Sequence, residues 1–410
     1  MSSDIETRSG SRPIGLIALN LVKKLLSCVE SGRLTVRTPD GTTLNHQAEK
    51  PGPEAVLVLH KWRALRRLVT GGDTAFAEAY MDGDWSTPDL SALLELGAAN
   101  IAPVERRVAG LLPVRIANRI RHILRPNSKR GSKRNIAYHY DLGNEFYRLW
   151  LDPSMTYSSA LYENPTDTLE AAQENKLRRI VDHLAPKSGD EVLEIGCGWG
   201  TLAARLGSSG ANVKAITLSA EQLAYAKRAV ADKGLSDRVR LELQDYRDCQ
   251  ASFDRIVSIE MLEAVGEQYW PTYFNKVRQL LTAQGKAVLQ VITIDESRYD
   301  QYRKGADFIQ KYVFPGGMLP TKTLMADHAA KAGLTLARTE FFGRSYALTL
   351  AEWRQRFRNG WPPIEKLGFD QRFRRLWEYY LAYCEAGFRT GLLDVGLYVL
   401  EPAPSGAAKS

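Results

Sequence analysis

The sequence predicts an α/β protein built on a doubly wound, Rossmann-like parallel sheet, preceded by a smaller mixed α/β domain. From residue 165 onward, strand-like and helix-like stretches alternate, which is typical of parallel sheets covered by helices on both faces. A glycine-rich turn joins one of these strands to a helix at residues 196–200. The length of 410 residues exceeds that of a usual single domain, so two domains are expected.

The N-terminal region, residues 1–104, has the pattern of the smaller domain. Ile14–Leu26 is apolar but interrupted by polar residues, which favours an amphipathic helix that is too short and too polar to span a bilayer. Strand-like runs follow at residues 32–42, which include an Asp-Gly turn signal, and at residues 57–62. Residues 73–85 predict a helix that ends in a turn. We expect this domain to contact lipid.

Residues 105–134 form a basic linker. Ten lysines or arginines lie between Arg106 and Arg134, and only Glu105 opposes them. Apolar residues recur within the linker at helical spacing, at positions 114, 117, 120 and 124. A basic amphipathic helix of this kind binds anionic membrane surfaces. The alternative is a solvated helix that packs its apolar stripe on one of the domains.

Composition and cysteine spacing indicate where the protein works. The formal net charge is +8 and the isoelectric point is about 9.2, which indicates an acidic partner such as anionic lipid or nucleic acid. The four cysteines are far apart and form no CxxC pair, so neither a disulfide framework nor a zinc site is expected. We expect a cytoplasmic protein that attaches peripherally to the inner face of the membrane.

The larger domain, residues 135–410, contains the predicted sheet. Its five strand candidates alternate with helices: Glu191–Ile195, Val213–Thr217, Val239–Leu243, Phe253–Ile259 and Lys286–Ile292. A late strand at Val395–Leu400 is expected to be antiparallel and to lie at the sheet edge. Ligands of such sheets bind outside the carboxyl ends of the parallel strands.

The glycine loop after the first of these strands carries the strongest functional signal. Glu194 ends the apolar run, and Gly196, Gly198 and Gly200 follow before a helix begins. Glycines let the backbone approach a ligand closely. A dinucleotide fingerprint needs its third glycine at position 201, which is Thr201. The acidic residue two positions before the first glycine instead indicates a class I methyltransferase, with a carboxylate that helps to hold the ammonium group of S-adenosylmethionine.

Topology places further cofactor contacts at the ends of the next two strands. Where most of these enzymes have an acid for the ribose hydroxyls, this chain has Thr217 and, further on, Gln222. Asp245, at the end of the third strand, is a candidate acceptor for the adenine amino group. The alternative is that Asp245 only caps a turn.

Several longer phrases make the chain resemble cyclopropane fatty acid synthases and their mycolic acid cyclopropanating relatives. The phrases are Ala137–Tyr147, Met155–Ala160, the glycine loop, Thr217–Ser219, Gln244–Tyr246, Ile259–Gly266, Phe314–Pro320 and Tyr346, with Tyr80–Trp85 similar to the extra domain of bacterial synthases. The resemblance implies a homodimer that acts on unsaturated phospholipid acyl chains. It also implies a set of cofactor contacts: Tyr157, Ser158, Glu194, Gly196, Gly198, Thr217, Leu218, Gln222, Gln244, Asp245, Tyr246 and Ile259.

The resemblance also implies how the reaction ends. An alkene attacks the sulfonium methyl, and a base then removes a proton from the resulting carbocation. The family's base is a bound bicarbonate ion. Glu263, Ile292 and Tyr346 match its usual ligands, whereas Ser159 and Gln290 replace a cysteine and a histidine but can still hydrogen-bond an anion.

The sequence leaves open the roles of three tyrosines, the identity of the base and the product of the reaction. Tyr140, Tyr157 and Tyr346 match family tyrosines whose rings can stabilise the cation. Glu260 is an additional carboxylate, and the set Ser159, Glu260 and Gln290 resembles that of the plant-type synthases. Glu263 as a direct base is the alternative to bicarbonate. The expected product is a cyclopropane ring, and the alternatives are a methylene- or methyl-branched chain. Nucleic acid is not an expected substrate, because the motif that many such methyltransferases carry after the fourth strand is missing.

Overall fold

Two β-sheets organise residues 13–103 and 142–404, the parts of the chain that the computed structural model describes. The smaller sheet has the order β2-β1-β3-β4. Its strands are β1 (Ser31–Arg37), β2 (Thr43–Gln47), β3 (Lys50–Leu59) and β4 (Trp85–Ser86). Its helices are α1 (Pro13–Leu26), α2 (Arg63–Met81) and α3 (Leu90–Ala99). The predicted amphipathic helix, the first strand with its turn and the helix before Trp85 are therefore confirmed, although the second run forms a longer strand that ends at Leu59.

The larger sheet has the order β10-β11-β9-β8-β5-β6-β7. Its strands are β5 (Glu191–Ile195), β6 (Asn212–Thr217), β7 (Val239–Leu243), β8 (Phe253–Ile259), β9 (Leu281–Ile294), β10 (Leu334–Phe341) and β11 (Leu393–Pro402). Within this sheet, the five strands β5 to β9 pair with one another in parallel. This arrangement confirms the Rossmann-like doubly wound fold and all five predicted parallel strands.

The helices of this region precede, separate or follow the strands of the larger sheet. They are α4 (Asn144–Arg148), α5 (Leu169–Leu184), α6 (Thr201–Ser208), α7 (Ala220–Asp232), α8 (Trp270–Leu280), α9 (Glu296–Tyr302), α10 (Phe308–Tyr312), α11 (Lys322–Lys331), α12 (Gly343–Asn359), α13 (Trp361–Lys366) and α14 (Gln371–Arg389). Hydroxyl side chains cap the first turns of α5 and α7. The Thr168 hydroxyl accepts a hydrogen bond from the Ala171 amide, and the Ser219 hydroxyl accepts one from the Gln222 amide.

One strand prediction was wrong in its position. β11 is antiparallel as expected, but it lies between β9 and β10 and is not at the edge. Six consecutive residues of β11, Val395–Leu400, are buried, as suits a strand covered on both faces. The edge is β10, which is mostly exposed. A short apolar–polar–apolar alternation at Leu334–Leu336 was the missed signal.

The N-terminal elements pack directly on the region that contains the larger sheet. Buried residues of α1, α2 and α3 belong to the same contiguous apolar core as buried residues of α12 and α14. The hydroxyl of Ser91 in α3 donates to Glu385 in α14 at 2.7 Å, and both side chains are buried. The proposed domain boundaries at residues 104–105 and 134–135 lie outside the described residues. None of the described helices combines the length and the apolarity that crossing a membrane requires.

Candidate active site

A cavity of about 1500 Å³ joins the large sheet to the N-terminal elements. At one end it reaches the carboxyl ends of β5, β6, β8 and β9, as expected for a sheet of this type. At the other end its walls are apolar side chains of α1, α2 and α3, among them Leu25, Leu68 and Leu94. α2 is kinked at Gly72, whose φ of 67° is left-handed, and Gly72 also lines the cavity. One cavity therefore contains a polar end and an apolar end.

The glycine loop forms part of the polar end. The amides of Gly196 and Cys197 donate to the Ile216 carbonyl at 2.9 and 3.0 Å, which ties the loop to β6. Gly196 and Gly198 have positive φ and line the cavity. Gly200 has another role, because a Cβ there would lie 2.9 Å from the Cβ of Ala226 in α7. The first two glycines leave room for a ligand, and the third allows two helices to pack closely.

Glu194 and Lys176 are two buried ionisable residues that influence each other's protonation and line the cavity with this loop. Glu194 is 3% exposed and lines the cavity, and its Oε2 accepts no hydrogen bond from the described residues. Burial raises the pKa of Glu194 to about 8, while Lys176 opposes the shift. Burial likewise lowers the pKa of Lys176 to about 8, against the carboxylates of Glu260, Asp152 and Glu194. An unpartnered carboxylate oxygen facing a cavity suits a cationic ligand.

The remaining predicted cofactor contacts separate into two groups. Most line the cavity: Tyr157, Ser158, Glu194, Gly196, Gly198, Thr217, Leu218, Gln222, Gln244, Tyr246 and Ile259. Asp245 does not. Its carboxylate caps a short 3₁₀ helix and binds the Arg247 side chain through two hydrogen bonds of 2.8 and 2.6 Å. Asp245 therefore acts as a capping aspartate, which was the alternative to an adenine contact. Its neighbours Gln244 and Tyr246 line the cavity instead.

Aromatic side chains surround the middle of the cavity. The Tyr157 and Tyr380 hydroxyls are 2.8 Å apart, and both residues line it. The Tyr346 ring packs on Phe388 with centroids 4.5 Å apart. Tyr140, the third predicted tyrosine, lies outside the described residues. The electron-rich ring faces suit a transient cation.

The predicted base region is organised around a residue that the resemblance did not assign. The Glu260 Oε1 accepts hydrogen bonds from the Ser159 backbone amide at 2.8 Å and from the Gln290 side-chain amide at 2.7 Å. Its Oε2 accepts one from the Tyr346 hydroxyl at 2.7 Å. Ser159 and Gln290 are fully buried behind Glu260. Three of the five predicted anion ligands thus converge on one carboxylate.

Glu263 lies beside this cluster and binds the backbone amide of Ile292, the fourth predicted anion ligand. Its Oε1 accepts the Ile292 amide at 2.6 Å, while its Oε2 has no hydrogen-bond partner within the described ranges. Glu260 and Glu263 are partly exposed, but the surface that they expose faces the cavity. Enclosure and the neighbouring Glu260 raise the pKa of Glu263 to about 8. Glu263 therefore carries its proton at neutral pH. Burial also raises the pKa of Glu260, while its hydrogen bonds and the charge of Lys176 oppose that shift.

This arrangement fits a separate bicarbonate ion poorly. The Ser159, Gln290 and Tyr346 donors are used by Glu260, and the Ile292 amide is used by Glu263. An added anion would also meet the Glu260 carboxylate in an enclosed space, where repulsion is weakly screened.

Lys176 is the main functional candidate that sequence reasoning missed. It lies on α5 with Ala172 and Ile180, four residues to either side, and all three are buried. Its ammonium group donates to the Ser158 hydroxyl at 2.7 Å. A lysine within the apolar stripe of an amphipathic helix was the available signal, because such positions normally hold apolar residues.

Comparisons with known proteins agree with the cofactor site and the fold. A family model described as mycolic acid cyclopropane synthetase matches residues 127–397. The tuberculostearic acid methyltransferase of Mycobacterium tuberculosis is 40% identical over 354 residues, covering 84% of this chain and 82% of the relative. The cyclopropane-fatty-acyl-phospholipid synthase of Escherichia coli K12 is 36% identical over 330 residues, covering 79% and 82%.

Solved structures show the same relationship. The M. tuberculosis cyclopropane synthase MmaA2 superposes with a TM-score of 0.62 at 29% identity, covering 65% of this chain and 97% of its own. A mycolic acid cyclopropane synthase complexed with SAH and CTAB gives a TM-score of 0.61 at 30% identity, with the same coverage.

Proposed function

The chain belongs to the mycolic acid cyclopropane synthetase family, and we propose that it methylates the double bond of an unsaturated acyl chain in a membrane phospholipid. It is an S-adenosylmethionine-dependent methyltransferase related to enzymes of lipid modification. The phospholipid, the double bond and the product are the parts proposed here.

The cavity is the observation that carries the proposal. A volume of about 1500 Å³ exceeds the range of about 300–1,000 Å³ typical of small-molecule pockets. It therefore has room for a cofactor and for an apolar chain together. Its apolar end lies among α1, α2 and α3, next to the polar end that contains Glu194 and the glycine loop. A substrate with a long hydrocarbon chain fits such a shape.

The residues of the middle section suit the proposed chemistry. The alkene π electrons form a bond to the cofactor's methyl carbon, and the sulfur keeps the electron pair of the broken C–S bond. The adjacent carbon of the acyl chain becomes a cation. Tyr157, Tyr346 and Tyr380 line this section, and each ring facing the cation contributes about 0.5–2 kcal/mol.

The product depends on which proton leaves. Loss of a proton from the transferred methyl group closes a cyclopropane ring, which we propose as the outcome. A second candidate is a methyl- or methylene-branched chain. It is favoured by the similarity to a relative named a tuberculostearic acid methyltransferase.

Mass analysis of lipids tests the function directly. The protein is expressed in a host that makes unsaturated phospholipids, and the purified enzyme is given vesicles of the same lipids with S-adenosylmethionine. A gain of one CH₂ with loss of the alkene indicates a ring, and the same gain with an alkene retained indicates a methylene branch. Acyl chains of unchanged mass in both assays would refute the proposal.

A variant of the apolar end tests where the chain binds. Leu68→Trp fills part of the cavity among the N-terminal helices, so lipid turnover should fall at least about tenfold, the equivalent of about 1.4 kcal/mol. Cofactor affinity should stay unchanged. Leu367→Trp is the matched control, because Leu367 is 42% exposed and lies outside the cavity. Equal turnover by the two variants would place the acyl chain elsewhere.

We further propose how the enzyme reaches its substrate. The basic run Arg106–Arg134 binds the anionic inner surface of the membrane, and the enzyme works there as a peripheral homodimer. This run lies outside the described residues, so the proposal depends on its composition and spacing. Sedimentation of the purified protein checks the dimer, and a vesicle assay described below checks the basic run.

A further inference from the structure

Glu260 has a backbone conformation that glutamate rarely adopts. Its φ of 48° lies in the left-handed region, which favours glycine. It follows β8 directly, and its amide donates to the Gln290 carbonyl at 2.8 Å, which fixes the backbone at the sheet end. A strained residue persists where its side chain has a use that glycine cannot supply.

The contacts of the side chain indicate that use. Three donors from three separate segments reach its two oxygens: the Ser159 amide, the Gln290 side-chain amide and the Tyr346 hydroxyl. Hydrogen bonds to the charged form favour that form. Burial raises the pKa of Glu260, and these hydrogen bonds together with the Lys176 ammonium group oppose that shift. The enclosure therefore directs the donors that an anion needs at a side chain of the protein itself.

The same three residues are the ones that the family resemblance assigns to bicarbonate, although Ser159 contributes its backbone amide and not its side chain. A free ion must be bound anew and is lost by dilution, whereas a side chain is always present. Glu260 also lines the cavity between the aromatic section and the glycine loop, so its carboxylate can reach a chain bound there. Among the described residues, its Oε2 accepts one hydrogen bond, from the Tyr346 hydroxyl, and keeps a lone pair for a proton.

We propose that the Glu260 carboxylate replaces bicarbonate as the base of this enzyme. After methyl transfer, an oxygen of Glu260 takes a proton from the transferred methyl group, and the electron pair of that C–H bond forms the third side of the ring by bonding to the cation. If a chain carbon next to the cation loses the proton instead, the same electron pair forms an alkene. Glu260 then returns the proton to water when the product leaves. This inference rests on the proposed function.

The first test uses the unmodified protein. Methyl transfer from S-adenosylmethionine to vesicle lipids is measured in carbon-dioxide-free buffer and again with millimolar bicarbonate. We expect equal rates. A rate that collapses without bicarbonate and returns on adding it would overturn the proposal. Lipids that stay unmodified under both conditions would instead refute the proposed function, so the two failures are distinguishable.

Two variants then separate a base from a structural residue. Glu260→Gln keeps the size and most hydrogen bonds but cannot take the proton, so kcat should fall about 100-fold or more, within the range for general bases. KM and cofactor affinity should change little. Glu260→Gly suits the local backbone and frees the three donors. It should be equally inactive without bicarbonate and regain at least tenfold with it.

The matched control is Ala185→Gly. Ala185 has nearly the same left-handed conformation, with φ of 47°, but caps α5 away from the cavity. It should keep full activity with or without bicarbonate. Titration with ¹³C-bicarbonate, followed by NMR, gives a readout independent of activity: Glu260→Gly should bind the ion saturably and the unmodified protein should not.

Three results would overturn the assignment. They are a Glu260→Gln enzyme within a few-fold of normal rate, a Glu260→Gly enzyme that is active without bicarbonate, and a folded, cofactor-binding Glu260→Gly enzyme that bicarbonate cannot rescue.

Discussion

Raising the pH from 6 to 8 should tighten the binding of S-adenosylmethionine, because Glu194 must lose a proton before it can pair with the cofactor's ammonium group. Glu194 is buried, and its Oε2 has no hydrogen-bond partner within the described residues. Burial raises its pKa to about 8 even though Lys176 lies nearby. The carboxyl group is therefore mostly neutral below that pH.

The size of the effect follows from that pKa. With a pKa of about 8, roughly 1% of Glu194 is ionised at pH 6, about 10% at pH 7 and half at pH 8. Affinity should rise about tenfold from pH 6 to pH 7 and about 50-fold by pH 8. Binding at pH 7 should release about 0.9 proton per site. The sign is set by the raised pKa, since the binding-competent form is the deprotonated one.

Calorimetric titration at the three pH values measures the affinity, and repeating it in buffers of different ionisation enthalpy counts the protons. Glu194→Gln is the control, because it cannot titrate. Its affinity should be nearly independent of pH and should be weaker than that of the unmodified protein at pH 8. An affinity of the unmodified protein that does not change with pH, or an equal slope in the variant, would refute the reasoning.

The remaining predictions concern the glycine loop and the membrane. Gly198→Ala should weaken cofactor binding at least about tenfold, whereas Gly234→Ala, with a similar left-handed φ and open surroundings, should cost only stability, about 1–2 kcal/mol by thermal unfolding. Gly196 is less suitable for this test, because a Cβ there would lie 3.1 Å from Met261. Vesicle binding should weaken with salt and, in co-sedimentation, by up to about 1 kcal/mol per charge removed when four arginines of the basic run are neutralised: Arg115, Arg119, Arg121 and Arg125. Weaker cofactor binding by both Gly198→Ala and Gly234→Ala would contradict the first expectation. Equal vesicle binding by the unmodified protein and the four-arginine variant would contradict the second.

Sequence patterns predicted the fold well, and most of the predicted cofactor contacts line the cavity. The five parallel strands were read from their apolar runs, and the glycine loop from its position between a strand and a helix. These features are local, because a strand, a turn and a helix start occupy adjacent residues. Carboxyl ends of parallel strands then meet at one edge, which is why Thr217 and Gln222 could be expected at the cavity from topology alone.

Sequence patterns were less reliable where one residue or strand suits two different structural positions. Asp245 suited both an adenine contact and a turn cap, and its side chain is engaged by Arg247. β11 suited an edge or an interior position, and β10 covers it. The choice for Asp245 depends on whether Arg247, two residues along the chain, binds its carboxylate, whereas the choice for β11 depends on which distant strand lies alongside it.

The sequence by itself determined that this chain is a Rossmann-like methyltransferase with a carboxylate and glycines at its cofactor loop, because strand, turn and helix periodicities are contiguous in the chain. Only the tertiary structure decided what fills the anion position. Glu260 is far along the chain from Ser159, Gln290 and Tyr346, and only the folded sheet brings their donors within 2.8 Å of its carboxylate. Residue types can show that these groups are able to hold an anion, but hydrogen-bond geometry determines whether that anion is bicarbonate or part of the protein.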